Sequence, residues 1–361
     1  MTKLRFFGIF SAIVLAAAAP ALAQVETEMP PVVAGAKPVT VEHIKIHGTS
    51  LEGNLEGEAV DRDAIVFLPP SYFQETTRHY PVVYALHGYS IGAEQWTHEI
   101  RVPQTVEGAF ARGAKEMIVV LPDSKTAYGG SMYSSSVTVG NFEQYVAHDV
   151  VSYIDAHYRT IPDRLSRGLV GHSMGGYGAL RIGMKHPDVF GALYVMSPCC
   201  LSPRPAPDPN SAQEKEFDAA VAAMKSPTDA ANMSFFQRAE LATAAAWSPD
   251  PKSPPLYFDL PVKDGAVQPD VLAKWTANSP LDFIDQYIDN LRQYRAISLD
   301  VGDQDTLRFD TQKVHEVLDS YGIENSFEMF QGTHTSRVAY RFQDHVLPFF
   351  SQNLCFTEGC N

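Results

Sequence analysis

The sequence predicts an α/β protein built on a doubly wound, mostly parallel sheet. PVVYALHG (81–88) and MIVVLPD (117–123) are continuous apolar runs, which are typical of strands buried on both faces. Between residues 141 and 158, apolar side chains recur at spacings of three and four, which predicts an amphipathic helix. Strands and helices then alternate along the chain, with further strands expected at 192–198, 296–302 and 325–332.

Two earlier apolar runs, 41–46 and 63–68, are separated by a glycine-containing turn and are expected to pair as an antiparallel edge. No internal repeat is visible in the sequence.

The first 23 residues predict a secretory signal peptide. Two basic residues precede an apolar stretch at 6–19, and Ala-Leu-Ala at 21–23 has the small-x-small pattern of a cleavage site. The stretch is short and Pro20 follows it, which argues against a membrane anchor. We therefore expect a mature protein of residues 24–361 in the periplasm or secreted, without stable membrane insertion after cleavage.

The net charge of −14 and the lack of a basic cluster make nucleic acid and anionic membranes poor partners. Residues 199–295 interrupt the strand–helix alternation with proline clusters and alanine-rich segments. So long a break is rarely an idle loop, so we interpret it as a partly helical, cap-like insertion. Trp247 is its most plausible aromatic wall for a substrate pocket, and anchoring of the insertion to the core is the alternative role.

The stretch GLVGHSMGGYGAL (168–180) predicts a strand, a sharp turn and a helix, with Ser173 at the turn. Gly-x-Ser-x-Gly alone is a weak signal, but this context is that of a nucleophile elbow, which exposes a serine hydroxyl at the carboxyl end of a sheet. The first N–H groups of the helix point at the same position and could stabilise an oxyanion.

A serine nucleophile needs a base and an acid, and in an elbow fold both follow it in the sequence. His315 and His345 fall within predicted helices, whereas His334 lies in the loop QGTHTSR after a strand, so His334 is the candidate base. The candidate acids follow the strand at 296–302. Asp310 is interpreted as a helix N-cap. Spacing alone does not separate Asp303 from Asp305.

The oxyanion hole needs two backbone donors, and the N–H groups of Met174 and of Tyr89, which follows the strand at 81–86, are the candidates. His87 is interpreted as shaping that turn. His172 is interpreted as a packed or hydrogen-bonded neighbour of the nucleophile rather than its base.

The four cysteines form two pairs, which in an exported protein favours disulfides over metal ligands. Cys355 and Cys360 enclose a short loop and are predicted to form a local disulfide. Adjacent Cα atoms lie about 3.8 Å apart, below the usual disulfide range, so a vicinal bridge between Cys199 and Cys200 would be strained. A vicinal bridge and free thiols remain equally open for this pair, and cross-pairing with the C-terminal cysteines ranks third. No metal motif is present, and no cofactor is implied.

With these residues assembled, the chain resembles the exported branch of the esterase family that includes S-formylglutathione hydrolase (esterase D), feruloyl esterases and the mycobacterial antigen 85 mycolyltransferases. The resemblance rests on FLPPSY (67–72), YPVVYALHG (80–88), GGSMYSSS (129–136), GHSMGGYGAL (171–180) and GDQD (302–305), and covers roughly residues 40–350 apart from the insertion.

The resemblance implies an α/β-hydrolase fold and a Ser-Asp-His triad whose acid stands three residues after a strand-ending glycine. That rule selects Asp305, and the family's oxyanion donors fall on Tyr89 and Met174. The implied activity is that of a serine carboxylic ester hydrolase acting on a small-molecule, carbohydrate or lipid ester. Two alternatives remain: an acyltransferase to an envelope alcohol or sugar, and a non-catalytic hydrolase-like binding protein.

Overall fold

A computed structural model describes residues 25–360, and the predicted signal peptide lies outside them. The central sheet has eight strands: β1 (Thr40–His47), β2 (Asp61–Leu68), β3 (Val82–Leu86), β4 (Ile118–Pro122), β5 (Arg167–His172), β6 (Ala192–Met196), β7 (Ala296–Gly302) and β8 (Ser326–Phe330). Their order across the sheet is β1-β2-β4-β3-β5-β6-β7-β8.

The sheet is antiparallel at one edge and parallel elsewhere. β1 pairs with β2 and β2 with β4 in the antiparallel sense, whereas β4, β3, β5, β6, β7 and β8 pair as parallel neighbours. The carboxyl ends of these six strands therefore share one edge. The predicted strands and the antiparallel edge are confirmed.

Helices cover both faces of the sheet. They are α1 (Ala93–Glu99), α2 (Val102–Ala111), α3 (142–157), α4 (Met174–Lys185), α5 (Ala212–Ala222), α6 (Phe235–Trp247), α7 (Pro269–Thr276), α8 (Ile288–Leu291), α9 (Arg308–Ser320) and α10 (338–353). α3 and α10 each contain a π-helical stretch, Tyr145–Val150 and Phe342–Val346. Short 3₁₀ turns lie at Thr49–Leu51, Arg164–Ser166, Pro227–Asn232, Pro280–Asp282 and Ile284–Tyr287.

Two apolar cores lie on opposite sides of the sheet. One contains Phe142 and Leu180 together with residues of 199–295, and the other contains Trp96, Phe342 and Phe350. Strands with both faces covered must be apolar throughout, which explains why β3 and β4 are continuous apolar runs rather than alternating ones. The doubly wound α/β fold predicted from the sequence is therefore confirmed.

Residues 199–295 contain α5, α6, α7, α8 and a small hairpin of Val262–Lys263 with Ala266–Val267. Side-chain hydrogen bonds attach this segment to the rest of the chain: Ser136 Oγ donates to the Ala245 carbonyl at 2.6 Å, and Tyr177 Oη to the Asn278 carbonyl at 2.9 Å. At the other end of the chain, Cys355 and Cys360 form the expected disulfide. None of the helices among residues 25–360 has the length and apolar character to cross a membrane.

Candidate active site

Ser173 lies at a tight turn between β5 and α4. Its φ of 60° and ψ of −115° are outside the helical and extended regions, and its N–H donates to the Met196 carbonyl at 3.0 Å. A Cβ on Gly171 would overlap the backbone carbonyl of Gly175, and a Cβ on Gly175 would overlap that of Leu86. The two glycines therefore let the turn pack against the end of the neighbouring strand, which leaves the Ser173 hydroxyl at the sheet edge.

Loops after three strands bring Ser173, His334 and Asp305 together. His334 Nε2 lies 2.9 Å from Ser173 Oγ, and His334 Nδ1 lies 2.7 Å from Asp305 Oδ2. A carboxylate can only accept, so Nδ1 carries the proton and Nε2 is left to accept from the serine hydroxyl. The arrangement has the geometry of a nucleophile, a base and an acid.

The two candidate acids have different partners. Asp305 is buried, and its second oxygen, Oδ1, accepts from the Leu307 N–H at 2.9 Å. Burial alone would raise its pKa, but the hydrogen bond and charge of His334 outweigh burial and hold the pKa of Asp305 below its usual value. Asp303 is exposed and its Oδ1 accepts from the Gly332 N–H at 3.0 Å, so it links two loops and does not reach the imidazole.

The interpretation of Asp310 as an N-cap is wrong. The helix starts at Arg308 with Leu307 as its N-cap, so Asp310 lies in the first turn. There its carboxylate is favourable because it faces the positive end of the helix dipole. His315 lies on the same helix, 2.8 Å from the Asn325 side chain, and His345 lies near Glu328, so neither imidazole is placed at Ser173.

His172 packs directly against the candidate base, His334. Its ring centroid lies 4.8 Å from that of His334, and its Nε2 donates to the His334 carbonyl at 2.8 Å. Burial, and then the nearby His334, lower the pKa of His172 to about 3, so the ring is neutral at physiological pH. His172 therefore fixes the backbone of the His334 loop. The sequence indicated a packed or hydrogen-bonded neighbour, but not this partner.

The candidate oxyanion donors flank the serine. Met174 is the first residue of α4, so its N–H is one of the groups that the helix cannot pair internally. A Cβ on Gly88 would stand 3.5 Å from Ser173 Cβ, which places the backbone leading to Tyr89 beside the nucleophile. His87 holds this loop, because its Nε2 accepts from the Ser124 N–H at 2.9 Å.

An aromatic surface lies beside Tyr89, one of the two candidate oxyanion donors. The Tyr89 hydroxyl donates to the Tyr128 carbonyl at 2.6 Å, and its ring makes an edge contact with Phe235 at a centroid distance of 5.2 Å. Phe235 and Phe236 begin α6 and are 42% and 79% exposed. Sequence reasoning missed this pair. The signal in the sequence was two consecutive phenylalanines inside the capping box Ser-Phe-Phe-Gln. A capping box marks the start of a helix, and the first turn of a helix often faces solvent.

Trp247, at the other end of α6, is only 4% exposed. Its Nε1 donates to Ser134 Oγ at 3.1 Å, and its ring contacts those of Tyr177 and Trp275. The contacts with Ser134 and Tyr177 anchor residues 199–295 to the rest of the chain, which is the alternative role stated in the sequence analysis. A role for Trp247 in substrate binding remains a prediction.

Within residues 25–360, no group of three or more His, Cys, Asp or Glu side chains is arranged to hold a metal ion.

Comparison with solved structures supports the fold. A ferulic acid esterase superposes with a TM-score of 0.62 and 23% identity, covering 88% of this chain and 98% of that one. At this identity the likeness shows the fold, here of the α/β-hydrolase type.

Curated relatives match over shorter stretches. An endo-1,4-beta-xylanase/feruloyl esterase of Xylanibacter ruminicola is 28% identical over 159 residues, covering 41% of this chain and 21% of that protein. An esterase of Mycobacterium tuberculosis is 32% identical over 122 residues, covering 34% of this chain and 25% of that protein. The chain spans about a third or less of the length of the curated relatives it matches.

A family model matches most of the chain. The model, described as "Putative esterase", covers residues 59–346, which include the strand ends that carry Tyr89, Ser173, Asp305 and His334. On this match, together with the fold, the chain belongs to that esterase family.

Proposed function

We propose that this protein is an exported serine carboxylic ester hydrolase that acts through an acyl-Ser173 intermediate. The observation that carries the proposal is the continuous chain of hydrogen bonds from Ser173 Oγ through His334 to Asp305. Membership of the esterase family supports the reaction class.

In the first half of the reaction, Ser173 Oγ attacks the ester carbonyl while His334 Nε2 takes the hydroxyl proton. The N–H groups of Tyr89 and Met174 stabilise the oxyanion, and Asp305 stabilises the imidazolium. His334 then gives the proton to the leaving alkoxide, and the C–O bond to the alcohol breaks.

In the second half, a water molecule attacks acyl-Ser173 while His334 takes one of its protons. Collapse of the tetrahedral intermediate breaks the Ser173 ester bond, and His334 returns the proton to Ser173 Oγ. The ester and one water molecule together give a carboxylic acid and an alcohol, and these steps use no cofactor.

The substrate that fits best has an apolar or aromatic group beside the scissile ester. Support comes from the exposed rings of Phe235 and Phe236 next to Tyr89, because exposed aromatic side chains on that side of the nucleophile favour apolar contact. The segment 199–295 would then act as the cap that sets substrate shape.

Export is proposed from the signal-like residues 1–23 and is supported by the disulfide of Cys355 and Cys360, a bond that persists in oxidising compartments. Expression of the full chain in a bacterial host, followed by cell fractionation and N-terminal sequencing, should find a mature protein that begins at Gln24. A protein that stays in the cytosolic fraction and retains residues 1–23 would reject the proposal of export.

The catalytic proposal is tested with Ser173→Ala. The variant should lose both hydrolysis of p-nitrophenyl acetate and covalent labelling by a fluorophosphonate, because both reactions need the same activated hydroxyl. Ser320→Ala, at an exposed residue of α9, is the matched control and should keep both. Undiminished labelling of Ser173→Ala would reject Ser173 as the nucleophile.

A further inference from the structure

Cys199 and Cys200 lie directly beside the nucleophile turn. They follow β6 through Ser197-Pro198, and the Cys199 N–H donates to the Ser173 carbonyl at 3.1 Å. The same loop is tied to β7, because the Ser197 N–H donates to the Asp300 carbonyl at 2.8 Å. A change in the backbone at Cys199 is therefore transmitted to Ser173 by a direct hydrogen bond.

The two thiols are free and in contact. Their sulfur atoms lie 2.6 Å apart, beyond the length of about 2.05 Å for a disulfide, so they are adjacent but not bonded. Both side chains are half-buried, so one edge of the pair faces solvent. Cys200 has a φ of 62°, in the left-handed region that non-glycine residues seldom adopt.

The surroundings distinguish the two sulfurs. Arg204 donates to Cys200 Sγ at 3.3 Å, so its positive charge lies directly beside Cys200. The adjacent Cys199 thiol, and after it the Arg204 charge, outweigh burial and the nearby Asp310 and lower the pKa of Cys200 to about 7. The pKa of Cys199 is raised, chiefly by the adjacent Cys200 sulfur and by burial. Cys200 is therefore the reactive thiolate near neutral pH.

We propose that Cys199 and Cys200 form a thiol modification site for low-molecular-weight disulfides, with Cys200 as the attacking sulfur and Cys199 as the resolving one. With oxidised glutathione, the Cys200 thiolate attacks one sulfur of the disulfide, which releases one glutathione thiolate and leaves a mixed disulfide. Cys199 then loses its proton and attacks Cys200 Sγ, which releases the second glutathione and forms the vicinal bond. The two cysteines lose two electrons and the glutathione disulfide gains them.

The modification also acts on the neighbouring site. Adjacent Cα atoms across a trans peptide lie about 3.8 Å apart, below the usual disulfide range of about 4.4 to 6.8 Å, so closing the ring requires the backbone at 199–200 to move. That movement displaces the N–H that holds the Ser173 carbonyl. Oxidation of the pair therefore lowers turnover, an effect that rests on the proposed function, whereas the thiol chemistry does not.

The test treats the full mature chain with oxidised glutathione and follows peptide masses and hydrolysis of p-nitrophenyl acetate in parallel. Wild type should pass through a glutathione adduct on Cys200 to a peptide lacking two hydrogens, and its activity should fall by about tenfold or more, as expected for a displaced reacting group. Dithiothreitol should restore both. Failure of the mass change rejects the site, whereas failure of basal hydrolysis in untreated protein rejects the proposed function instead.

Matched variants separate the two sulfurs. With oxidised glutathione, Cys199→Ser should form the glutathione adduct on Cys200 and react no further. Under the same treatment Cys200→Ser should show no change of mass and should keep its basal activity. Where a serine variant does not fold, limited treatment of the wild type with iodoacetamide tests which sulfur reacts first. Cys200 should be alkylated before Cys199. Arg204→Gln should slow that alkylation several-fold. First reaction at Cys199, or a vicinal bond that leaves activity unchanged, would overturn the proposal.

Discussion

The carboxyl edge of the sheet and the segment of residues 199–295 both reach Ser173, but they are held by different kinds of contact. At the sheet edge, each proposed catalytic group stands a few residues beyond the end of a parallel strand, so strand register sets its position. The segment instead depends on separate side-chain contacts such as that of Trp247 with Ser134. Changes at the edge should therefore affect chemistry, and changes in the segment should affect stability or substrate choice.

The largest expected effect is at the edge, where Asp305 and Asp303 offer a matched pair. Asp305→Asn should lower kcat by several powers of ten, because the amide cannot hold the His334 tautomer or stabilise its charged form. Asp303→Asn should lower kcat by less than about tenfold, since an amide oxygen can still accept from the Gly332 N–H. Steady-state kinetics on both folded variants measure the difference, and the reverse order would assign the acid to Asp303.

Trp247→Ala tests the anchoring contacts of the segment. Removing this buried ring should lower the free energy of unfolding by about 3–5 kcal/mol, and if Trp247 only anchors the segment, the ranking of acyl chain lengths stays unchanged. Urea unfolding and a panel of p-nitrophenyl esters measure the two effects. An altered ranking with little loss of stability would instead support Trp247 as a pocket wall.

The buried imidazole of His172 should make the edge sensitive to acid. The unfolded chain protonates this ring below its ordinary pKa near 6.5, whereas the folded chain does so only near pH 3, so stability falls as the pH decreases through that window. Between pH 7 and about pH 4.5 this amounts to about 3 kcal/mol.

His172→Gln keeps an N–H donor for the His334 carbonyl but does not titrate, so its unfolding free energy should fall less than that of wild type over this range. His87, whose pKa burial also lowers, contributes to both proteins and cancels from the comparison. His98→Gln, at an exposed site of α1, should retain the wild-type dependence. Equal pH dependence of wild type and His172→Gln would contradict a neutral buried ring.

The smallest effect is expected at the exposed start of α6. Phe236→Ala should reduce kcat/KM for aromatic or long-chain acyl esters relative to acetate by up to about tenfold, because one apolar contact is lost. Stability should change little, since the ring is 79% exposed. Phe73→Ala, at a 62% exposed ring outside the segment, is the control and should leave the ratio unchanged.

Much of the sheet edge was predictable because its signals are local. Apolar runs indicated the strands, glycines around Ser173 indicated the turn, and the order serine, acid, histidine was the one expected of a nucleophile-elbow fold. His334 could be selected because, unlike His315 and His345, it lies in a loop directly after a strand. The choice of Asp305 over Asp303 came from the family resemblance, since two residues in one loop have nearly equal spacing from the strand.

The sequence by itself determined the strand and helix pattern, the nucleophile turn, the short Cys355–Cys360 loop and the candidate base, because each depends on residues close together in the chain. Tertiary structure decided which aspartate meets His334, that Trp247 is buried while Phe236 is exposed, and that His172 bonds the His334 carbonyl. It also decided that Arg204 faces Cys200. These depend on contacts between distant segments, where packing and hydrogen bonding select one partner among several that the local sequence allows equally.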